Sequence, residues 1–327
     1  MIEEVYKNIY RIPVPLTGNP LKEVNCYYIK GEDRNLIIDT GFRCDECKEV
    51  LTAGLNEAGW DPKKTDVYLT HLHSDHTGLA FEICGPGRNI YISSTDQKYM
   101  IRNLRGEEQT DKQTRFLQDG FTLEMLQELS VKNPAWIYKP KGDLTAIPTV
   151  EDGDVLKVGE YELKVIVTPG HTPGNTMLWE EKHGLMFTGD NILFDITPNI
   201  TSWPGQADSL GDYLDSLRRV RSYPVKLALP AHRMTGDYAA RIDALLAHHE
   251  ARLAEALKVI KENPGSNAHT IAGHMTWRIR ARNWEEFPIA QKWFAVGECQ
   301  SHLDYLEKRG LIKKVVLDGN RNVYYAL

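Results

Sequence analysis

A cluster of four candidate metal ligands within six residues constrains this chain more than any other feature of its sequence. The segment His71-Leu72-His73-Ser74-Asp75-His76 follows a short apolar run, residues 67–69, that is predicted to be a strand. His71 and His73 can converge on one metal ion, while Asp75 and His76 can reach a second. Imidazole and carboxylate ligands favour zinc, iron or manganese over thiophilic metals. A merely polar loop would need three of the 11 histidines to fall together by accident, so the sequence predicts a metal site.

Three further candidate ligands each come shortly after a predicted strand. His171 lies in TPGHTPGN after a strand that ends at Val167, Asp190 follows LMFTG, and His232 follows KLALP. The glycines and prolines around His171 favour a fixed turn, as an oriented ligand requires. Asp190 can bridge two ions through its two oxygens. Taken singly, His171 or His232 would be an ordinary turn histidine, but together with the first cluster they complete a ligand set.

Strands and helices alternate along the chain in a pattern that indicates a two-sheet α/β fold. The predicted strands are residues 5–12, 24–30, 35–39 and 67–69, followed by 154–158, 161–167, 176–179, 185–188 and 226–229. Helices are predicted over residues 43–58 and 209–222. Two sets of strands with helices between them predict an α/β sandwich whose loops at one edge carry the polar clusters.

Residues 94–148 are predicted to be a mostly helical insertion, and RFLQDGFTLEMLQEL is its clearest helical stretch. The insertion directly follows the first ligand cluster and contains several aromatic residues. We therefore expect it to cover the metal edge and to place Phe116, Phe121 or Trp136 near the substrate. A cover of this kind favours a small ligand, since pockets enclose most of a bound small molecule.

The C-terminal residues 266–327 are predicted to form a small winged-helix-like domain, separate from a catalytic domain over 1–263. A long helix over 237–263 ends at NPGSN, which marks the boundary. The domain is predicted to contain helices 270–275 and 289–309 and strands 311–317 and 322–326. Asp-Gly between the two strands is a hairpin signal. Nine Lys or Arg and six Asp or Glu give it a mild positive excess, but its long helix has a buried apolar stripe, so packing or homodimer formation is preferred over nucleic-acid binding.

The composition favours a soluble cytoplasmic protein that has no membrane partner. The formal net charge is -6, which gives no global attraction to nucleic acid or to an anionic membrane. The first twelve residues lack the basic start and apolar run of a signal peptide. No stretch approaches the roughly 20 apolar residues that cross a bilayer. Five cysteines are few and odd in number, which fits a reducing compartment.

The motifs THLHSDHTG, PGHTPGN, FTGD and LPAH resemble the ligand motifs of the metallo-β-lactamase superfamily and occur in the order of that family. The resemblance covers residues 1–263 and implies an αββα sandwich with two divalent metal ions, zinc before iron or manganese, at the sheet edge. Matched motif by motif, it implies a first metal held by His71, His73 and His171, a second held by Asp75, His76 and His232, and a bridging Asp190.

The ligand set also indicates a branch of the superfamily. Asp75 and the carboxylate at position 190 distinguish this ligand set from that of the true β-lactamases, which contain a thiolate. The set is similar to those of glyoxalase II, lactonases and nuclease-like hydrolases. Flavodiiron proteins have Glu where this chain has His73, which disfavours an electron-transfer role. The C-terminal domain is similar to that of the β-lactamase-like protein 2 branch, whose members include ribonucleases.

The resemblance implies hydrolysis by a metal-bridging hydroxide, with Asp75 and Asp190 as the catalytic carboxylates and Asp75 carrying the proton. We expect a small ester, thioester or lactone as substrate, because the catalytic portion is net acidic and a nuclease needs cations to neutralise phosphates. Arg233, Tyr28 and Trp203 are candidate substrate contacts near the ligand motifs. Two alternatives remain open, a single-strand endoribonuclease and a DNA-binding regulator whose metal site only senses or stabilises.

Overall fold

The computed structural model describes residues 2–132, 137–278 and 281–327. The chain divides into two compact units, each assembled from segments that are distant in sequence. The first unit is Met1–Ile101, Pro134–Pro198 and Ser222–Arg241, and the second is Arg102–Asn133, Asn199–Arg221 and Ile242–Leu327. All seven predicted metal ligands lie in the first unit.

The first unit contains two β-sheets. The seven-stranded sheet keeps its strands in chain order: β1 (Glu3–Tyr6), β2 (Ile9–Leu16), β3 (Lys22–Ile29), β4 (Asn35–Ile38), β5 (Thr65–Tyr68), β6 (Ile90–Ser93) and β7 (Thr149–Val150). The five-stranded sheet has the order β12-β11-β10-β9-β8, from β8 (Val155–Val158), β9 (Tyr161–Val167), β10 (Thr176–Glu180), β11 (Leu185–Gly189) and β12 (Leu227–Pro230). Strands β4 to β7 are parallel, and so are β11 and β12, so their carboxyl ends share an edge.

Apolar residues of both sheets form the core between them. In β9 the side chains at 161, 163 and 165 are buried while those at 162 and 164 are exposed. This two-residue period is typical of a strand with one face in the core and the other in solvent. Tyr27 of β3 meets Phe187 of β11 edge to face, with ring centroids 5.3 Å apart. The next residue along β3, Tyr28, points to the opposite face of its sheet and joins a separate apolar cluster there.

The first part of the chain in this unit contains the helices α1 (Asp45–Glu57), α2 (Ser74–Thr77) and α3 (Ala80–Ile83) and the start of α4 (Ser94–Leu104). In α1 the buried side chains Cys47, Leu51 and Leu55 recur at helical spacing. They pack with Val14 of β2 in the cluster on the outer face of the first sheet. This face of the sheet is thereby covered by helix, as the predicted sandwich requires.

The second unit is mainly helical. Its elements are α5 (Glu107–Gln118), α6 (Leu123–Lys132), α7 (Ser209–Val220), α8 (Tyr238–Glu262), α9 (Ala268–His274), α10 (Ile289–Lys308), β13 (Ile312–Leu317) and β14 (Arg321–Ala326), with α8 starting inside the first unit. The predicted hairpin is confirmed, since β13 and β14 are antiparallel. Its turn residues Asp318 and Gly319 both have positive φ, 51° and 75°, as an Asp-Gly hairpin turn needs.

Phe116 and Phe121 lie in the core of the second unit. They are 3% and 4% exposed and meet edge to face at 5.0 Å, and Phe116 also stacks on Trp293 at 5.4 Å. Packing within the second unit therefore accounts for both rings, and their expected place near the substrate stays a prediction. Trp136, the third aromatic of that prediction, lies outside the described residues.

The second unit contains all of residues 266–327 together with three segments that the sequence division placed in the catalytic domain. The boundaries of the two compact units therefore differ from the predicted domain boundary at residues 263–266. The helices and hairpin of a winged-helix-like domain are present, and the assignment to that class stays a prediction. Over the residues that are described, no helix combines the length and apolar character needed to cross a membrane.

Candidate metal centre

The structure brings all seven predicted side chains together at one edge of the first unit. The ligand segments follow β5, β9, β11 and β12, and the shared edge of these strands gathers their loops. His73 is the N-cap residue of α2, so Asp75 and His76 lie in the first helical turn after it. His71, His76 and His232 are fully buried.

The three side chains of the first trio are His71, His73 and His171. The Nδ1 atom of His73 lies 3.0 Å from Nε2 of His71 and 3.0 Å from Nε2 of His171. One nitrogen from each ring thus lies within 4.8 Å of the other two. Three imidazole nitrogens that meet at one point can hold a single divalent ion.

The second trio is Asp75, His76 and His232, and Asp190 lies between the two trios. Oδ2 of Asp75 is 3.7 Å from Nε2 of His76 and 3.5 Å from Nε2 of His232. Asp190 places Oδ1 3.3 Å from Nε2 of His232 and Oδ2 3.5 Å from Nε2 of His171. Each carboxylate oxygen of Asp190 therefore faces a different trio, which is the arrangement that a bridging ligand needs.

Three buried atoms at this centre make no hydrogen bond: Nε2 of His76, Nε2 of His232 and Oδ1 of Asp190. Buried polar atoms are nearly always satisfied in folded proteins, so orphaned atoms that face one another call for a missing partner. A set of nitrogen and oxygen donors without thiolate suits zinc, iron or manganese. The side chains present thus fit a pair of divalent ions.

The outer contacts of the histidines fix which ring nitrogen is available to a metal. The Thr70 hydroxyl donates to Asp39 at 2.8 Å, so Nδ1–H of His71, 3.1 Å away, donates to Thr70 and leaves Nε2 unprotonated. Nδ1 of His76 donates to Asp39 at 2.8 Å. Nδ1 of His232 donates to the Glu23 carbonyl at 2.7 Å. In each case the outward nitrogen is taken up by this contact, so the nitrogen that faces the centre is the one that can bind a metal.

The two trios differ in their electrostatics. Burial, followed by the neighbouring His171, lowers the pKa of His73 to about 3 and keeps that ring neutral. Burial opposes the charge of His76, yet the carboxylates of Asp39, Asp75 and Asp190 raise its pKa to about 9. A bound cation replaces such protons, since metal binding releases them from the ligands.

Sequence reasoning missed two buried carboxylates that hold the ligand segments. Asp39 follows β4 in the DTGF turn, has a positive φ of 60° and also accepts the backbone N–H of Thr70 at 2.9 Å. Its position after a strand, like that of the ligands, was a signal that could have found it. Asp96, on α4, contacts both loops of the first trio, and no local pattern in the sequence marks it.

The three candidate substrate contacts have different surroundings. Tyr28 is fully buried in the apolar cluster on the outer face of the first sheet, so its assignment as a substrate contact is wrong. Trp203 lies in the second unit, where it is 4% exposed and the Lys112 ammonium is 3.4 Å from the ring centre. Arg233 follows His232 directly and donates to the Pro20 carbonyl at 2.7 Å. Of the three, only Arg233 is placed beside the ligands within the first unit.

Comparison with known proteins identifies the family of this chain. The model of the metallo-beta-lactamase superfamily matches residues 20–232. An atrochrysone carboxyl ACP thioesterase from Aspergillus novofumigatus is 26% identical over 80% of this chain, and the match covers 65% of that protein. A beta-lactamase-like protein 2 homolog from Caenorhabditis elegans is 30% identical over 44% of this chain and 47% of its own length. A metallo-beta-lactamase family protein from Thermus thermophilus, whose crystal structure is known, gives a TM-score of 0.81 at 26% identity, covering 98% of this chain and 99% of that one.

Two sheets packed face to face, with helices and a His/Asp cluster at the strand ends, define the mixed α/β fold that the sequence predicted, and the structural match confirms it. The chain belongs to the metallo-beta-lactamase superfamily. None of the relatives named above is a glyoxalase II, so the expected likeness to that branch is replaced by likeness to thioesterases. The chain spans less than two thirds of the fungal thioesterases, 65% of the first and 61% of one from Emericella nidulans.

Proposed function

We propose that this protein is a metal-dependent hydrolase that cleaves acyl thioesters. The observation that carries the proposal is the position of Asp190, with one oxygen toward the trio of His171 and the other toward the trio of His232. A carboxylate shared in this way suits two ions held close together. The thioester is favoured because two relatives that align over three quarters or more of this chain are named thioesterases.

His71, His73 and His171 would hold one ion, Asp75, His76 and His232 the other, and Asp190 both. When bound, two divalent ions would supply an acidified water and would polarise a carbonyl oxygen. The chain contributes orientation, because Asp39 and the Glu23 carbonyl fix the rings of His76 and His232. Six of the seven ligands, all but His73, are buried, which limits competing water at the centre.

The leaving group favours a thioester over an ester or a phosphodiester. The carboxylates at the centre, Asp75 and Asp190, both face histidine ligands, and Asp75 is the candidate that carries a proton. A thiol has a pKa of about 8.5 and can depart as thiolate near neutral pH without being protonated. An alkoxide needs a proton at the moment of departure. A site whose polar groups are occupied as ligands therefore suits a sulfur leaving group.

Arg233 supports a substrate that carries a negative charge. Its φ of 65° lies in the left-handed region, which costs a non-glycine residue about 1–3 kcal/mol and is found mostly at functional sites. Asn25 holds this conformation by donating to the Arg233 carbonyl at 2.9 Å. The buried Nε atom of Arg233 has no hydrogen-bond partner. A carboxylate on the substrate would pair with this guanidinium, the side-chain cation best matched to carboxylate geometry.

The test is to measure metal content and hydrolysis in the purified protein and in the Asp190→Asn variant. We expect about two equivalents of zinc, iron or manganese in the wild type. The variant should retain at most one and should lose thioesterase activity by more than the roughly 10–100-fold that loss of an outer contact costs. His274→Ala is the matched control, because it removes an exposed histidine of the second unit and should change neither quantity.

The assay compares pantetheine thioesters with lactones, aryl esters and a labelled single-stranded RNA. Turnover of thioesters that depends on metal supports the proposal. RNA cleavage that is lost in Asp190→Asn, with no turnover of any acyl substrate, would establish the ribonuclease alternative instead. A wild type that binds no metal, or an Asp190→Asn variant with full activity, would overturn the metal-dependent mechanism itself.

A further inference from the structure

We propose that Asp96 is a positioning residue that sets the geometry of the first metal trio by tying its two loops together. The proposal rests on the metal site proposed above and adds a residue outside the ligand set. Asp96 is in the first turn of α4 and is fully buried. It lies 20 residues after the first ligand cluster and 75 residues before His171.

One carboxylate oxygen of Asp96 contacts both loops. Its Oδ2 atom accepts the backbone N–H of Leu72 at 2.8 Å, and Leu72 lies between His71 and His73. The same oxygen accepts the hydroxyl of Thr172 at 2.7 Å. Thr172 directly follows His171, so all three members of the first trio are within one residue of a group bonded to Asp96.

The other oxygen extends the contact along the second loop. Oδ1 of Asp96 accepts the backbone N–H of Gly174 at 2.7 Å. Ser93 completes the arrangement, because its hydroxyl donates to the Gly174 carbonyl at 2.6 Å and accepts the N–H of Asp96 at 3.2 Å. A Cβ atom at position 174 would be 2.3 Å from Oγ of Ser93 and 2.5 Å from N of Asp96. The approach of loop and helix is therefore too close for any residue but glycine.

This placement explains why a carboxylate is needed. All three contacts from the loops are donors, and an ionised carboxylate offers acceptor sites on both oxygens. An asparagine side chain keeps one acceptor and turns an NH₂ group toward donors on the other side. Either the Leu72 and Thr172 contacts or the Gly174 contact would then be lost. In either case the link between the two ligand loops is weakened, while the second trio keeps its own outer carboxylate, Asp39.

The consequence is a selective change in metal affinity. Loss of a residue that orients ligands typically costs 10–100-fold in affinity. Asp96→Asn should therefore weaken one of the two bound ions by about 10–100-fold and leave the other near its wild-type affinity. A purely structural residue would lower stability without this split between the two ions.

The experiment titrates zinc into chelator-stripped wild type and Asp96→Asn and counts bound ions at fixed free zinc concentrations. Cobalt substitution reports the coordination of each site through its visible absorption. The thermal midpoint of the stripped proteins measures the fold separately. Asp119→Asn is the matched control, since Asp119 is an equally buried carboxylate of the second unit and should leave both zinc affinities unchanged.

Thr172 provides a milder pair of variants should Asp96→Asn fail to fold. Thr172→Ser keeps the hydroxyl and should restore wild-type affinity, whereas Thr172→Ala should weaken the same ion that Asp96→Asn weakens. Two ions bound equally well in Asp96→Asn and in wild type would refute the positioning role and leave the proposed function intact. Equal weakening of both ions would refute it too. A wild type that binds no zinc would overturn both proposals.

Discussion

Replacement of Asp119 by alanine tests how the second unit is held together. This carboxylate is fully buried at the end of α5 and accepts four side-chain hydrogen bonds. The donors are Arg115 Nε at 2.7 Å, Gln300 Nε2 at 2.8 Å, Tyr324 OH at 3.0 Å and Asn322 Nδ2 at 3.1 Å. They come from the insertion, from α10 and from β14. Within the second unit, the carboxylate thus joins α5 to α10 and β14.

The expected loss of stability in Asp119→Ala follows from the hydrogen-bond donors that the alanine leaves unpaired. In the variant, a buried donor is left without an acceptor on each of Gln300, Asn322 and Tyr324. Each such donor lowers the free energy of unfolding by about 1 kcal/mol or more. Arg115 would retain its second carboxylate, Asp304 at 2.8 Å, and so would lose only part of its pairing. Together we expect a loss of about 3–5 kcal/mol in the free energy of unfolding, the range for breaking a buried ion pair. At roughly 2–4 °C per kcal/mol, the thermal midpoint should fall by about 10 °C.

The assay is urea and thermal unfolding followed by circular dichroism, with zinc content measured on the same samples. Asp215→Ala is the matched control, because its side chain is 76% exposed in α7 and its ion pair with Arg218 lies at the surface. The control should stay within about 0.5 kcal/mol of wild type. Zinc content should be unchanged in both variants, since the ligands lie in the first unit.

A loss below about 1 kcal/mol in Asp119→Ala, or one equal to that of Asp215→Ala, would refute the reasoning. It would mean that water or a rearranged side chain satisfies the freed donors. An intermediate loss in Asp119→Asn, which keeps one acceptor, would in turn support the count of unsatisfied donors.

Two further predictions concern single charged groups. Burial raises the pKa of Glu298 to about 7, although the Arg252 guanidinium, 4.0 Å away, opposes this shift. Between pH 4.5, the ordinary pKa of the side chain, and pH 7, Glu298 therefore keeps a proton in the folded protein that it loses in the unfolded chain. Stability should therefore fall by about 3 kcal/mol at most as pH rises from 4.5 to 7, and Glu298→Gln should remove this fall in urea unfolding at pH 5 and 8. Arg233→Gln should raise KM about tenfold for a thioester with a carboxylate on its acyl group and little for a neutral one, in matched steady-state kinetics. Equal shifts for both substrates would argue against an anionic group at Arg233.

The ligand set could be predicted from the sequence because its information is local. His71, His73, Asp75 and His76 are close in the chain, and His171, Asp190 and His232 each come shortly after a strand. Strands that end at a common edge bring such residues together whatever the details of packing. The fold class followed from the same pattern, since two sets of strands separated by helices admit few arrangements.

The tertiary structure alone decided which face each strand residue takes and which distant residues meet. Tyr28 was expected near the substrate, but the register of β3 directs it to the outer apolar cluster and its neighbour Tyr27 to the core between the sheets. Because side chains alternate faces, a shift of one residue reverses every such assignment. Asp96 and Asp119 act through hydrogen bonds to residues as many as 78 and 205 positions away. Such contacts depend on how loops and helices pack, so they cannot be predicted from a pattern within a short stretch of sequence.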